Sequence, residues 1–177
     1  MEYSIKEVAK IIGAKGNELH DDAITILLTD SRTVSFPEQS LFFALKTKTN
    51  DGHKYIPELY KLRVRNFVVS EMAPEFANLT DANFLLVKDP LRALQQLAIH
   101  HRKKFDIPVI GITGSNGKTI VKEFLYQLLH TEFNIVRSPR SFNSQLGVPL
   151  SVWQINPKHT LGIFEAGISQ PDEMERL

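Results

Sequence analysis

Cysteine is absent from the 177 residues, which excludes disulfide bridges and cysteine metal centres and suits a reducing compartment. Neither sign of charge is in excess. Lys and Arg number 21 against 20 Asp and Glu, a formal net charge of +1, so nothing global argues for nucleic acid or an anionic membrane as partner. No window approaches the roughly 18 uninterrupted apolar residues of a membrane span. The charged start Met1-Glu2-Tyr3-Ser4-Ile5-Lys6-Glu7 has no apolar stretch of signal-peptide length. Internal repeats and low-complexity tracts are missing, and the six histidines show no metal-ligand spacing. What remains is ordinary globular composition, 42% hydrophobic and 23% charged, and the expectation is a cytoplasmic protein with a core and no membrane insertion.

Ser4 and Glu7 have capping-box spacing, and Ile5, Val8, Ala9 and Ile12 repeat at helical intervals, which predicts a helix ending near Gly13. Residues 23–29 and 41–45 read as strands, as do the short runs 66–70 and 83–87. A helix is expected around Tyr55, Ile56, Leu59 and Tyr60, with Pro57 in its first turn. Asp89-Pro90 opens another, with Leu91, Leu94, Leu97 and Ala98 on one face. His100-His101 is expected on a solvated helix face, and Arg102-Lys103-Lys104 as a charge complement to the helix C-terminus. The polar stretch up to Pro108 is the candidate domain boundary. A buried-type strand follows at 109–113, then an apolar helical stripe of Ile120, Val121, Phe124, Leu125, Leu128 and Leu129. Residues 134–136 and 161–164 read as further strands. Strand, helix, strand in this order gives the α/β class with parallel sheets.

Between the strand at 109–113 and its helix lies Gly114-Ser115-Asn116-Gly117-Lys118-Thr119. Small residues let backbone N–H groups converge on phosphate oxygens, and the helix directs its positive dipole end at the same point. Lys118 suits the β and γ oxygens of ATP, and Thr119 offers a hydroxyl to Mg²⁺. The strict form of this loop has glycine where this chain has Ile112. The glycines fall instead at 111, 114 and 117, so this is a variant. Glu165 ends a predicted strand, where ligands of open parallel sheets gather, and suits Mg²⁺ coordination; a solvated strand end is its competing role. Asn143, Ser144, Gly147 and Pro149 open a predicted helix, where they either contact ligand or cap.

These motifs resemble those of the Mur ligases, ATP-dependent amide-forming enzymes of peptidoglycan synthesis. The resemblance rests on Gly111-Ile112-Thr113-Gly114-Ser115-Asn116-Gly117-Lys118-Thr119, Asn143-Ser144-Gln145-Leu146-Gly147-Val148-Pro149 and Glu165-Ala166-Gly167. To these the N-terminal half adds Asp30-Ser31-Arg32, Leu41-Phe42-Phe43-Ala44-Leu45 and Asp51-Gly52-His53. Lys122-Glu123, and Asn143 where the tripeptide-forming member carries a Thr-Thr pair, point to the last ligase of the series. Ile120, Ser144, Thr47 and Asp172 depart from the family pattern.

The resemblance implies a UDP-substrate-binding domain at 1–105 and the start of a central ATP-binding domain at 106–177, incomplete there, so that the chain is a fragment. It implies that Gly114 through Ile120 hold ATP, that Thr119 and Glu165 hold Mg²⁺, and that Lys118 and Glu165 are catalytic. Ser31, Arg32, Asn50, Asp51, Gly52, His53 and Asn143 would contact substrate. The implied reaction joins D-alanyl-D-alanine to UDP-N-acetylmuramoyl-tripeptide through an acyl phosphate. The rivals are another Mur ligase, a folylpolyglutamate synthase, whose loop would lie nearer the N-terminus for want of a sugar-nucleotide domain, and a non-catalytic nucleotide-binding module. Oligomeric state and the third residue of the peptide stay open.

Overall fold

The computed structural model describes residues 1–15 and 19–168; Asp172 lies outside them. The chain divides into two compact units, Met1–Leu97 and Ala98–Leu177.

In the first unit β1 (Tyr3–Ser4) leads directly into α1 (Ile5–Ile11), whose cap is the predicted one: Ser4 Oγ accepts from the Glu7 N–H at 3.2 Å. The strand expected over 23–29 is two strands. β2 (Ala23–Ile24) pairs antiparallel with β1, and β3 (Ile26–Leu28) joins another sheet. The break falls at Thr25, whose N–H is drawn to the Gln39 carbonyl at 3.0 Å and whose hydroxyl donates to the Gln39 side chain at 2.8 Å.

The main sheet runs β3, β4 (Ser40–Phe43), β5 (Asn66–Val69), β6 (Asn83–Leu86), all parallel. β4 and β5 are buried at every position, as expected where both faces of a parallel sheet are covered. One face packs Phe42, Phe67 and Val69 against Ile56 and Leu59 of α2 (Ile56–Lys61). Pro57 sits in the first turn of α2, where its missing N–H costs nothing. α3 (Pro90–Arg102) starts on Asp89, whose side chain accepts from the Leu91 and Arg92 N–H groups at 2.9 and 3.2 Å.

The second unit holds β7 (Val109–Ile112), α4 (Lys118–Leu129), β8 (Ile135–Arg137), α5 (Gly147–Val152) and β9 (Leu161–Glu165). Its three strands are parallel in the order β7-β9-β8, so β9 is central and buried throughout. Of the predicted stripe on α4, Leu125 and Leu129 pack on Ile112, Leu161 and Ile163. Val121, Phe124 and Leu128 instead stand exposed. The six apolar positions span more of the helix circumference than this sheet covers.

His101 corrects the expectation of a solvated face. It is 1% exposed, its Nε2 lies 2.9 Å from the Ile155 carbonyl, and its ring lies against Trp153 and Phe105. The Arg102 guanidinium donates to the Phe105 and Ile107 carbonyls, which lie beyond the helix end. Burial, more than any charge, holds the His101 imidazole below its ordinary value. The unfolded chain therefore binds the extra proton first, and stability from this site is present above about pH 6.5 and lost on acidification below it. His101→Gln keeps a donor for the Ile155 carbonyl and should flatten the dependence of the urea midpoint on pH between about 7 and 5. An equally steep dependence in the variant would contradict this origin. Among the described residues no helix is long and apolar enough to cross a membrane.

Candidate functional site

The glycines of the phosphate-type loop have the backbone the motif requires. Gly114 has φ 138° and Gly117 φ 80°, conformations that side chains resist. Gly117 stands immediately before α4, so the helix begins at Lys118 with its N-terminal N–H groups facing the loop. Ser115 and Asn116 are exposed, and Ile120 is 62% exposed. The Lys118 ammonium is folded back onto its own loop, donating to the Gly114 carbonyl at 2.6 Å.

Parallel pairing aligns Ile112 with Glu165, which brings the end of β9 beside the loop following β7. Thr119 Oγ1 donates to Glu165 Oε2 at 3.1 Å, and Ser141 Oγ lies 3.5 Å from the same hydroxyl. Glu165 is no solvated strand end: it is wholly buried, and its own N–H donates to Ser138 Oγ at 3.0 Å. Beyond it the Gly167 N–H donates to the Asn143 carbonyl at 2.6 Å, and a Cβ on Gly167 would lie 3.0 Å from Asn143 atoms. Asn143 thus packs on the Glu165-Ala166-Gly167 turn.

Sequence reasoning missed Lys122 as part of this site. It is fully buried, with its ammonium 2.9 Å from Glu165 Oε1 and donating to the Ser138 carbonyl at 2.8 Å and to the Arg140 carbonyl. The approach to Oε1 is an ion-pair contact without hydrogen-bond alignment, so Oε1 has no hydrogen-bond donor of its own. The available signal was a lysine three positions after Thr119, on the same helical face, amid apolar neighbours.

The donor set fits a hard divalent cation. Thr119 Oγ1 and Glu165 Oε2 are two oxygens 3.1 Å apart, close to the edge of about 3.0 Å of an octahedron with bonds near 2.1 Å, the geometry magnesium demands.

In the first unit, Ser31 and Arg32 follow β3, and Asn50, Asp51, Gly52 and His53 follow β4; since those strands are parallel neighbours, both loops leave the same carboxyl edge. Asp30 grips the Arg32 guanidinium through both carboxylate oxygens, with contacts from 2.6 to 3.2 Å. Those Arg32 hydrogen bonds pull its carboxyl down to about 2. Thr47, a departure from the family pattern, closes the second loop: its hydroxyl oxygen accepts from the Asn50 N–H at 3.0 Å. Gly52 is obligatory, because a Cβ there would lie 2.7 Å from the Leu45 nitrogen and 2.9 Å from Ala44 backbone atoms.

His53 is turned inward. Its Nδ1 lies 2.6 Å from Asp51 Oδ1, and its Nε2 accepts the Ser70 N–H at 3.1 Å. That acceptance fixes the proton on Nδ1, and both nitrogens are engaged. The ring therefore braces the turn from within, while Asn50 is exposed and Asp51 half-buried. The His53 backbone N–H is the main influence lowering the Asp51 carboxyl to about 2. Asp51, His53 and Glu71 cluster like metal ligands, but Lys46 already supplies the cation, 3.4 Å from Asp51 and 3.3 Å from Glu71.

Residues 112–177 match the model of the Mur ligase middle domain. The UDP-N-acetylmuramoyl-tripeptide–D-alanyl-D-alanine ligase of Bacillus subtilis is 28% identical over 176 residues, covering 98% of this chain and 38% of that protein. Its namesake from Synechocystis is 36% identical over 149 residues, 84% and 32% of the two chains. Among solved structures, the corresponding ligase of Acinetobacter baumannii superposes with a TM-score of 0.89 at 23% identity over 99% of this chain and 39% of that one, a likeness of fold. The MurF ligase of Thermotoga maritima, in complex with ADP, gives a TM-score of 0.70 at 28% identity over 85% and 34%. The chain therefore spans 32% to 39% of the length of these relatives. Residues 112–177, with the glycine loop and the buried glutamate, thus carry a Mur ligase middle domain, and the chain as a whole is similar in sequence and fold to part of these ligases.

Proposed function

We propose that this chain supplies the UDP-substrate and ATP-phosphate sites of a cytoplasmic ligase that joins D-alanyl-D-alanine to UDP-N-acetylmuramoyl-tripeptide in peptidoglycan precursor synthesis. The observation that carries the reading is the Thr119–Glu165 contact of 3.1 Å beside a glycine loop at the carboxyl ends of parallel strands. Gly114 to Ile120 would bind ATP, the backbone N–H groups and Lys118 taking its phosphates. Ser31, Arg32, Asn50, Asp51 and Gly52 would hold the UDP end, with His53 bracing them, and Asn143 would meet substrate near the phosphates.

A carboxylate is a poor acyl donor at neutral pH. Transfer of the γ-phosphoryl group to the substrate's terminal carboxylate gives an acyl phosphate and ADP, and the amine of D-alanyl-D-alanine then displaces phosphate to form the amide. Two anions must approach one another, so the residues' task is to orient them and offset their charge. Lys118 swings from the Gly114 carbonyl to the β and γ oxygens. Thr119 and Glu165 would hold Mg²⁺, which when bound neutralises phosphate charge.

Glu165→Gln, nearly isosteric, tests the assignment in the intact ligase. The Mg²⁺ concentration for half-maximal rate should rise and the rate fall, with the far-ultraviolet spectrum unchanged. An unaltered magnesium curve would refute Glu165 as a metal ligand. Amide formation measured alongside also separates an enzyme from a nucleotide-binding module without turnover.

A further inference from the structure

Lys122 has no part in the reaction just described, yet it is a fully buried cation beside the loop. Its exposure and that of Glu165 are both 0%. Burying an ammonium is costly unless specific partners receive it, and here they are fixed ones. The Ser138 and Arg140 carbonyls accept two of its N–H groups, so the charge stays in place whatever else binds the carboxylate. The third side faces Glu165 Oε1 at 2.9 Å, while Oε2 is turned to Thr119.

The local charges then follow. Glu165 contributes one negative charge and Lys122 one positive. Glu123 also lies 3.5 Å from the Lys122 ammonium, but it is paired with Arg137, and those two cancel. Lys118 on the loop adds a positive charge. The oxygens that suit a metal therefore sit in surroundings that are neutral to positive before any ligand arrives. A bare divalent cation gains little there, whereas phosphates bring the negative charge that is lacking.

We propose that Lys122 is a positioning residue that neutralises Glu165 and occupies its Oε1, so that the site takes a divalent cation only together with nucleotide phosphates. The inference rests on Thr119 and Glu165 being the metal ligands. By claiming Oε1, Lys122 also leaves Oε2 as the oxygen shared with Thr119, which fixes where the cation enters. An uncharged residue of the same length would fill the space but leave a lone buried carboxylate, a trap for free metal.

Manganese serves as the probe, because water-proton relaxation enhancement separates protein-bound from nucleotide-bound Mn²⁺. The 177-residue chain is expected to show enhancement with Mn²⁺ and ADP together and none with Mn²⁺ alone. In Lys122→Met, affinity for bare Mn²⁺ should rise at least about tenfold, the effect of removing a unit charge about 5 Å from a divalent ion even under water-like screening. Tight binding of bare Mn²⁺ by the wild type would overturn the inference with no variant needed, as would a folded Lys122→Met without that gain. Should Lys122→Met lose its circular dichroism, the double variant Lys122→Met/Glu165→Gln, which removes both charges, is expected to recover it. A double variant that stays unfolded would show that Lys122 acts in packing and refute the charge role. Glu165→Gln separates the two levels: undiminished enhancement with Mn²⁺ and ADP in that variant would refute the metal assignment itself.

Discussion

Lys118→Ala is expected to lower ATP-dependent amide formation by the intact ligase about 10²–10³-fold, the usual loss when one electrostatic contact to a transition state is removed. The loop leaves no substitute. Lys122, the nearest buried cation, is held by the Ser138 and Arg140 carbonyls and by Glu165, so it cannot reach phosphate oxygens. The helix N–H groups and the glycine backbone stay in place, and nucleotide affinity should fall less steeply than the rate. Stability should hardly change, because the ammonium's one hydrogen bond in the free protein is to the Gly114 carbonyl in an exposed loop. An unshifted melting temperature with a collapsed kcat is thus the diagnostic pair. A variant retaining more than about a third of the wild-type rate would remove Lys118 from the reaction.

What was legible in the sequence is what depends on neighbours along the chain. The loop could be read because Gly114 and Gly117 answer a local backbone demand, here φ values of 138° and 80°. The Ser4 and Asp89 caps and the place of Pro57 are likewise set within one helical turn. The place of Glu165 at a strand end is legible, but its burial is not, since that follows from β9 lying between β7 and β8. Lys122 carries only the faint signal of its place on the Thr119 face of α4, because the carbonyls that hold it lie 16 and 18 residues away, in a loop with no regular pattern. His101 failed for the same reason, its partners Ile155 and Trp153 being about fifty residues on. His53 shows the limit from the other side. The turn Asp51-Gly52-His53 is legible as a unit, whereas the inward set of its imidazole depends also on the contact with Ser70, just past the end of another strand.

Phe67→Ala should cost about 3–5 kcal/mol, the range for truncating a buried aromatic ring. Phe67 is fully buried on β5, between β4 and β6. It stacks on Phe84 at 5.4 Å and meets Phe42 edge-on at 6.5 Å, and Phe84 stacks in turn on Phe76 at 5.3 Å. Backbone on neighbouring strands cannot close over the vacated space without breaking a parallel ladder, so the cavity would persist. For a unit of this size the loss lowers the melting transition by at least about 10 °C, against a total stability of only about 5–15 kcal/mol. The consequence should be selective. The Asp51–His53 turn depends on β4 and β5, through the Gly52 N–H on the Leu45 carbonyl and the Ser70 N–H on His53, so affinity for UDP-N-acetylmuramoyl peptide should fall with the transition. The glycine loop rests on a different core, Ile112, Leu161 and Ile163 with Leu125 and Leu129, and Mg-ADP binding should survive. Calorimetric melting with titration of each ligand in turn tests both halves of the prediction. Parallel loss of both affinities, or a destabilisation below about 1 kcal/mol, would refute the independence of the two sites or the central place of Phe67 in the first.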